Sequence, residues 1–180
     1  MKIVDPCLWF IFAAVAAAQP SFTNFDVPGA GTGATQGTLG LAINAGGTIA
    51  GNSIDSINVY HGFVRAASGT ITTFDPPGSI ATYAFSINTP GAIGGYFSDT
   101  DRIAHGFVRA ASGAITTFDA SGAGTGADQG TVARIINMAG AIAGYYIDAS
   151  TVYHGFVRDP TGAITTFDAP GAGTRGDQAL

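Results

Sequence analysis

Three histidines are the only imidazoles in this chain: His61, His105 and His154. Each opens the same string, His-Gly-Phe-Val-Arg, which ends at Arg65, Arg109 and Arg158. Three neutral imidazoles could hold zinc if they converged. Six positions before each His stands an Asp: Asp55, Asp99 and Asp148, with Asp101 added in the second copy. Loop carboxylates beside backbone carbonyls are the donors that Ca²⁺ takes, so these four are the metal candidates. No Asp-rich loop with a closing Glu accompanies them. A residue present in every copy reads first as scaffold. On that reading the imidazole bonds to backbone at the start of a strand, and the Asp stabilises a solvated turn. A second Asp closes each Ile-Thr-Thr-Phe-Asp string, at Asp75, Asp119 and Asp168, one hairpin away from the Arg. Strand pairing is expected to set that Arg and Asp side by side as a structural ion pair. The residues that define the repeat are therefore His61, Phe63, Arg65, Asp75, His105, Phe107, Arg109, Asp119, His154, Phe156, Arg158 and Asp168.

Absences narrow the enzyme classes. The chain has no Glu, so a glycosidase would need two Asp. Beyond residue 18 it has neither the Cys for a thiol nucleophile nor the Lys for a Schiff base. No Gly-x-Ser-x-Gly elbow occurs. Gly29 to Gly33 and Gly122 to Gly126 are Gly-rich, but no Lys-Ser/Thr follows them, so they read as inter-unit loops. Arg175-Gly176-Asp177 spells an integrin tripeptide, for which chance is the default account. An active site should break the repeat symmetry. The polar residues that do so, Asp101, Arg102, Arg134 and Asp159, are scattered. No residue is assigned as catalytic, cofactor-binding or metal-binding, and no cofactor is expected.

The elements that position these residues form a unit of fixed length. From Ile-Asn to Phe-Asp (Asn44 to Asp75, Asn88 to Asp119, Asn137 to Asp168) the spacing is identical in all three copies, and length varies only in the joints. A unit without length variation is packed, and a variable joint is a surface loop. Each unit holds four strand candidates, in the first copy Leu39–Ile43, Thr48–Gly51, Tyr60–Arg65 and Thr70–Phe74, separated by Asn/Gly turns. Four antiparallel strands at this period make an all-β fold of tandem, β-propeller-like blades. Complete units cover about 39–75, 83–119 and 132–168. An extra fourth strand is expected at 22–26, and a partial joint runs over 169–180. Typical propellers close with more blades, so the array is expected to be incomplete or open, a fragment of a longer array, or closed as a homodimer.

Only 11% of residues are charged and the net charge is −5, with no basic run, which argues against nucleic acid as a partner. Cys7 to Ala18 is an unbroken apolar run after Lys2, ending in Ala16-Ala17-Ala18. That is too short to span a bilayer and suits a signal peptide over 1–18, leaving a single β-repeat domain over 19–180. The expected location is secreted or cell-envelope.

The string Ile-Asn-x-x-Gly-x-Ile-x-Gly, then His-Gly-Phe-Val, then Gly-x-Ile-Thr-Thr-Phe-Asp resembles the HAF family of extracellular repeats, named for His-Ala-Phe. Gly62, Gly106 and Gly155 stand in the Ala position, a small-for-small change on one face. The family's usual Asp-Leu-Gly-Thr-Leu-Gly-Gly ending is replaced by Phe-Asp-x-Pro-Gly-Ala-Gly-Thr, as in a divergent branch. The resemblance covers almost all of 22–180. It implies bacterial export and a β-rich array, and it brings no catalytic residues. The function expected is a non-catalytic extracellular scaffold for a glycan or protein ligand, bound by joint loops 27–38 and 120–131 and loops 52–59, 96–104 and 145–152. The alternatives are a fragment of a propeller enzyme acting on carbohydrate and a Ca²⁺-stabilised adhesin-like array.

Overall fold

The computed structural model describes residues 22–173. The expected signal peptide lies outside the described residues, as do Arg175-Gly176-Asp177. All regular structure among the described residues is β, with no helix. The first unit is a meander of β1 (Gly37–Ile43), β2 (Ile49–Ile54), β3 (Tyr60–Arg65) and β4 (Ile71–Phe74). The second repeats it as β5 (Ala81–Ile87), β6 (Ile93–Ser98), β7 (Ala104–Arg109) and β8 (Ile115–Phe118). The third does so as β9 (Gly130–Ile136), β10 (Ile142–Ile147), β11 (Tyr153–Arg158) and β12 (Ile164–Phe167). Pairing inside each unit is antiparallel. A single parallel bridge, Ala104 to Gly130, joins the second and third units into one eight-stranded sheet.

Local chemistry explains these elements. The β1–β2 turn closes with Asn44 accepting from Gly47 N–H, and Gly47 takes a φ of +78° that side chains resist. The first strand of each unit carries a β-bulge, where Leu41, Phe85 and Arg134 are the unpaired extra residues. A bulge bends the strand and re-aims the side chain it carries.

Sheets stack in sequence order: β5 lies on the first unit and β9 on the second. The core lies between them, where Phe107 and Phe156 are fully buried with Ile93 and Ile142, while Phe63 is buried on the far side of the first unit against Phe25. Burial at one repeat position follows the stacking. Ile43 in β1 is 66% exposed, Ile87 in β5 is half-buried, and Ile136 in β9 is 6% exposed. Among the described residues no preceding sheet lies under β1 as the first unit lies under β5 and the second under β9.

Two expectations are corrected. The extra strand at 22–26 pairs with no strand among the described residues, yet Phe25 still meets Phe63 edge-on at 6.1 Å. Phe74 meets Phe107 and Phe118 meets Phe156 in the same way. The Arg–Asp ion pair does not form. Each Arg instead lies over the Phe that closes the preceding segment: Arg65 over Phe25, Arg109 over Phe74 and Arg158 over Phe118, at 4.8 to 5.0 Å. His-Gly-Phe-Val-Arg places Phe and Arg on one face, and that face meets the previous unit rather than its own hairpin partner.

Candidate functional site: a tyrosine and arginine cluster at the loop end

The freed Asp takes the histidine. His61 Nδ1 is 2.7 Å from Asp75, and its Nε2 is 3.5 Å from Asp55. The same Asp–His–Asp station recurs at His105 with Asp119 and Asp99, and at His154 with Asp168 and Asp148. The sequence had suggested a backbone partner for the imidazole; two carboxylates hold it instead. Partial burial pulls each imidazole pKa down, but the flanking carboxylates together outweigh it and raise all three. Asp55 Oδ1 also accepts from Val59 and Ile57 N–H, and the same contacts form at Asp99 and Asp148. Backbone donation chiefly, with His second, holds these three carboxylates below their ordinary value.

These stations leave little for a metal. The inner Asp is filled by two amides and an imidazole, and at Asp101 it is the backbone N–H that reaches Asp99. Among the described residues no group of three or more His, Cys, Asp or Glu side chains is arranged to hold a metal ion. The three histidines stay one per unit.

The expected binding loops do meet. Joint and pre-His loops are tied together at one end of the strands: Gln36 Nε2 donates to Ser56 O, Gln129 Nε2 to Ala149 O, and Arg102 Nη2 to both oxygens of Asp128. Non-glycine residues in the left-handed region cluster in these loops: Thr35, Asn58, Arg102, Asp128 and Thr151. Such backbone is costly and concentrates at functional surfaces.

Below these loops lies a group the sequence reading missed. Tyr60 and Tyr83 are 4.9 Å apart, Tyr83 stacks on Tyr96 at 4.6 Å, and Phe85 lies 5.8 Å from Tyr96. The exposed guanidinium of Arg134 covers Phe85 at 4.1 Å, and Tyr145 meets Tyr153 at 5.3 Å. Burial, then the neighbouring Tyr83, pushes Tyr96 up to about 12, so it stays a neutral donor. No tyrosine hydroxyl here is a buried atom lacking a partner among the described residues. Two bulges put Phe85 and Arg134 in this group. The signal was present in the repeat alignment: Asn52, Tyr96 and Tyr145 are equivalent, as are Leu39, Tyr83 and Val132, and Leu41, Phe85 and Arg134. Comparing only polar residues found Arg134 and left the tyrosines out. Of the other asymmetric residues, Arg102 bonds Asp128, and Asp159 caps its own turn through Thr161, Gly162 and Ala163 N–H.

Chemically, stacked half-buried tyrosines with a cation offer rigid apolar faces and hydroxyl donors at small entropic cost, which suits binding. No family model and no curated protein matches this chain.

Proposed function

We propose that this chain is an exported, non-catalytic β-repeat protein related to the HAF repeats, with propeller-like units that serve as an extracellular or cell-envelope interaction scaffold. The observation that carries this reading is the division of labour among side chains. The residues repeated in every unit are spent on packing or on the Asp–His–Asp stations. Symmetry breaks at the tyrosine–Arg134 cluster under the loops, where ligand-type chemistry collects. A glycan face or a protein surface fits such a cluster.

A hydrolytic reading needs two carboxylates facing one substrate bond. Here the repeated carboxylates face imidazoles, which favours binding over catalysis. No helix among the described residues is long and apolar enough to cross a membrane. A glycan array run beside a hydrolysis panel tests the proposal. Retained glycan or protein ligand that is lost in Tyr96→Ala supports it, and turnover of any glycan overturns it.

The exposed face of β1 and the sheet face of the third unit correspond to faces that pair twice within the chain. A second copy is the occupant we propose for them. Phe25 holds the place on the first unit that Phe167 of that copy would need. Light scattering should therefore show more dimer in Phe25→Ala than in the parent chain, and equal masses would refute this closure.

A further inference from the structure

An asymmetric cavity lies at the end of the strands opposite the tyrosine cluster, between the first and second units. It has a volume of about 420 Å³ and is lined by Asn44, Thr48, Thr70, Thr72, Thr89 and Arg109, among others. That size lies within the range of small-molecule sites, roughly 300–1,000 Å³. Thr70, Thr72 and Thr89 are exposed, so the cavity opens to solvent.

Arg109 is the most deeply buried of the three repeat arginines. The side chain is 8% exposed and has no carboxylate at ion-pair distance among the described residues. Its Nη1 donates to Ala110 O at 3.3 Å and its Nε is buried with no partner, features shared with Arg158, whose Nη1 donates to Asp159 O at 3.3 Å, and, for the Nε, with Arg65. One face of the guanidinium is taken by Phe74. A guanidinium carries five N–H donors, and most of these remain free. A buried cation that lacks an anion is costly, and burial lowers the pKa of Arg109 accordingly.

The hydroxyls are the second, independent observation. At the next junction the positions of Thr48, Thr70 and Thr89 are held by Ala92, Ala114 and Met138, while Arg158 replaces Arg109. The scaffold therefore does not require these hydroxyls. They occur where the Arg is most deeply buried.

We propose that this cavity binds a small polyhydroxylated ligand carrying one oxyanion, of the uronic acid class, with Arg109 taking the oxyanion and the Thr48, Thr70, Thr72 and Thr89 hydroxyls taking the ligand's hydroxyls. Charge-assisted bonds to a planar guanidinium favour carboxylate over a neutral group. The site shares no residue with the tyrosine cluster, so either can fail alone.

Thermal denaturation of the intact chain, titrated with glucuronate, glucose or inorganic phosphate at matched ionic strength, tests the proposal. Glucuronate should raise the melting temperature saturably, and glucose should not. Arg109→Gln should abolish the shift, and Arg158→Gln should keep it. Thr48→Ala with Thr70→Ala rebuilds the neighbouring junction's lining, so it should fold normally and bind roughly tenfold more weakly. The proposal is overturned by no response to glucuronate, by a response that survives in Arg109→Gln, or by an unchanged affinity in the double alanine variant. Phosphate binding as tightly as glucuronate would overturn the polyhydroxylated part.

Discussion

Replacing Gly106 by Ala gives a sharp test of the packing between units, because the repeat supplies its own control. A Cβ at Gly106 would sit 2.7 Å from Cε2 and Cζ of Phe118, its cross-strand partner. The ring must then move by several tenths of an ångström or more. It is not free to do so: it packs edge-on against Phe156 at 6.0 Å, and Arg158 lies over its face at 5.0 Å. Overpacking of this kind costs about 1–3 kcal/mol, and losing the aromatic and cation–π contacts adds about 1 kcal/mol. Replacing a strand Gly returns about 0.5–1 kcal/mol. A net loss of about 2 kcal/mol corresponds to roughly 4–8 °C in a domain of this size. Gly155 meets Phe167 at 2.6 Å, but Phe167 is 55% exposed, with no following unit among the described residues to pin it. Gly155→Ala should therefore melt within about 1 °C of the parent. Gly106→Ala with Phe118→Leu should recover part of the loss, because Leu leaves room for the methyl. The assay is thermal and urea unfolding of five proteins: the parent, the two glycine variants, Phe118→Leu alone and the double variant. Equal melting of the two single alanine variants would refute the reasoning. So would a double variant less stable than the sum of its parts. The same geometry accounts for the Gly of His-Gly-Phe in all three units: the fourth-strand Phe ring fills the space an Ala methyl would take.

The Asp–His–Asp stations predict a bell-shaped dependence of stability on pH. The raised imidazoles stabilise fully below their ordinary value of 6.5, and that contribution is lost as pH rises through their folded values. The depressed Asp55, Asp99 and Asp148 stabilise above 3.8, and theirs is lost as pH falls through their folded values. Melting temperature should peak between these limits, and replacing all three His by Asn should flatten the alkaline arm. An unchanged arm would show that the stations contribute nothing. Asn88 is 6% exposed, accepts from Ala92 N–H at 2.8 Å and donates to Asn137 O at 3.1 Å, linking two units. Asn88→Ala should cost about 2 kcal/mol by urea unfolding, and a loss below the measurement error would refute the link. Thr151 holds a φ of 61° where the first unit has Asn58 at 66°. Thr151→Asn should stabilise by about 1 kcal/mol, and a loss of stability would count against strain at this turn.

Four strands per unit, with Tyr60–Arg65 bounded to the residue, could be read from the chain because strand alternation and Asn/Gly turns are local. The fixed distance from Asn44 to Asp75 identified the packed unit, since three copies share one geometry. The partners of Arg and His could not be read in this way. Phe74 reaches Arg109 and Phe107 across a unit boundary, and that choice depends on which sheet faces meet. Once Arg109 turned to Phe74, Asp119 was left for His105. The tyrosine cluster depended on register as well: the bulges leave Phe85 and Arg134 unpaired and bring them together from strands 49 positions apart. Sequence determined the repeat and its strands, because those follow from the backbone and from neighbours along the chain. Tertiary structure decided the contacts that carry chemistry, because each joins residues whose approach depends on how one sheet stacks on the next.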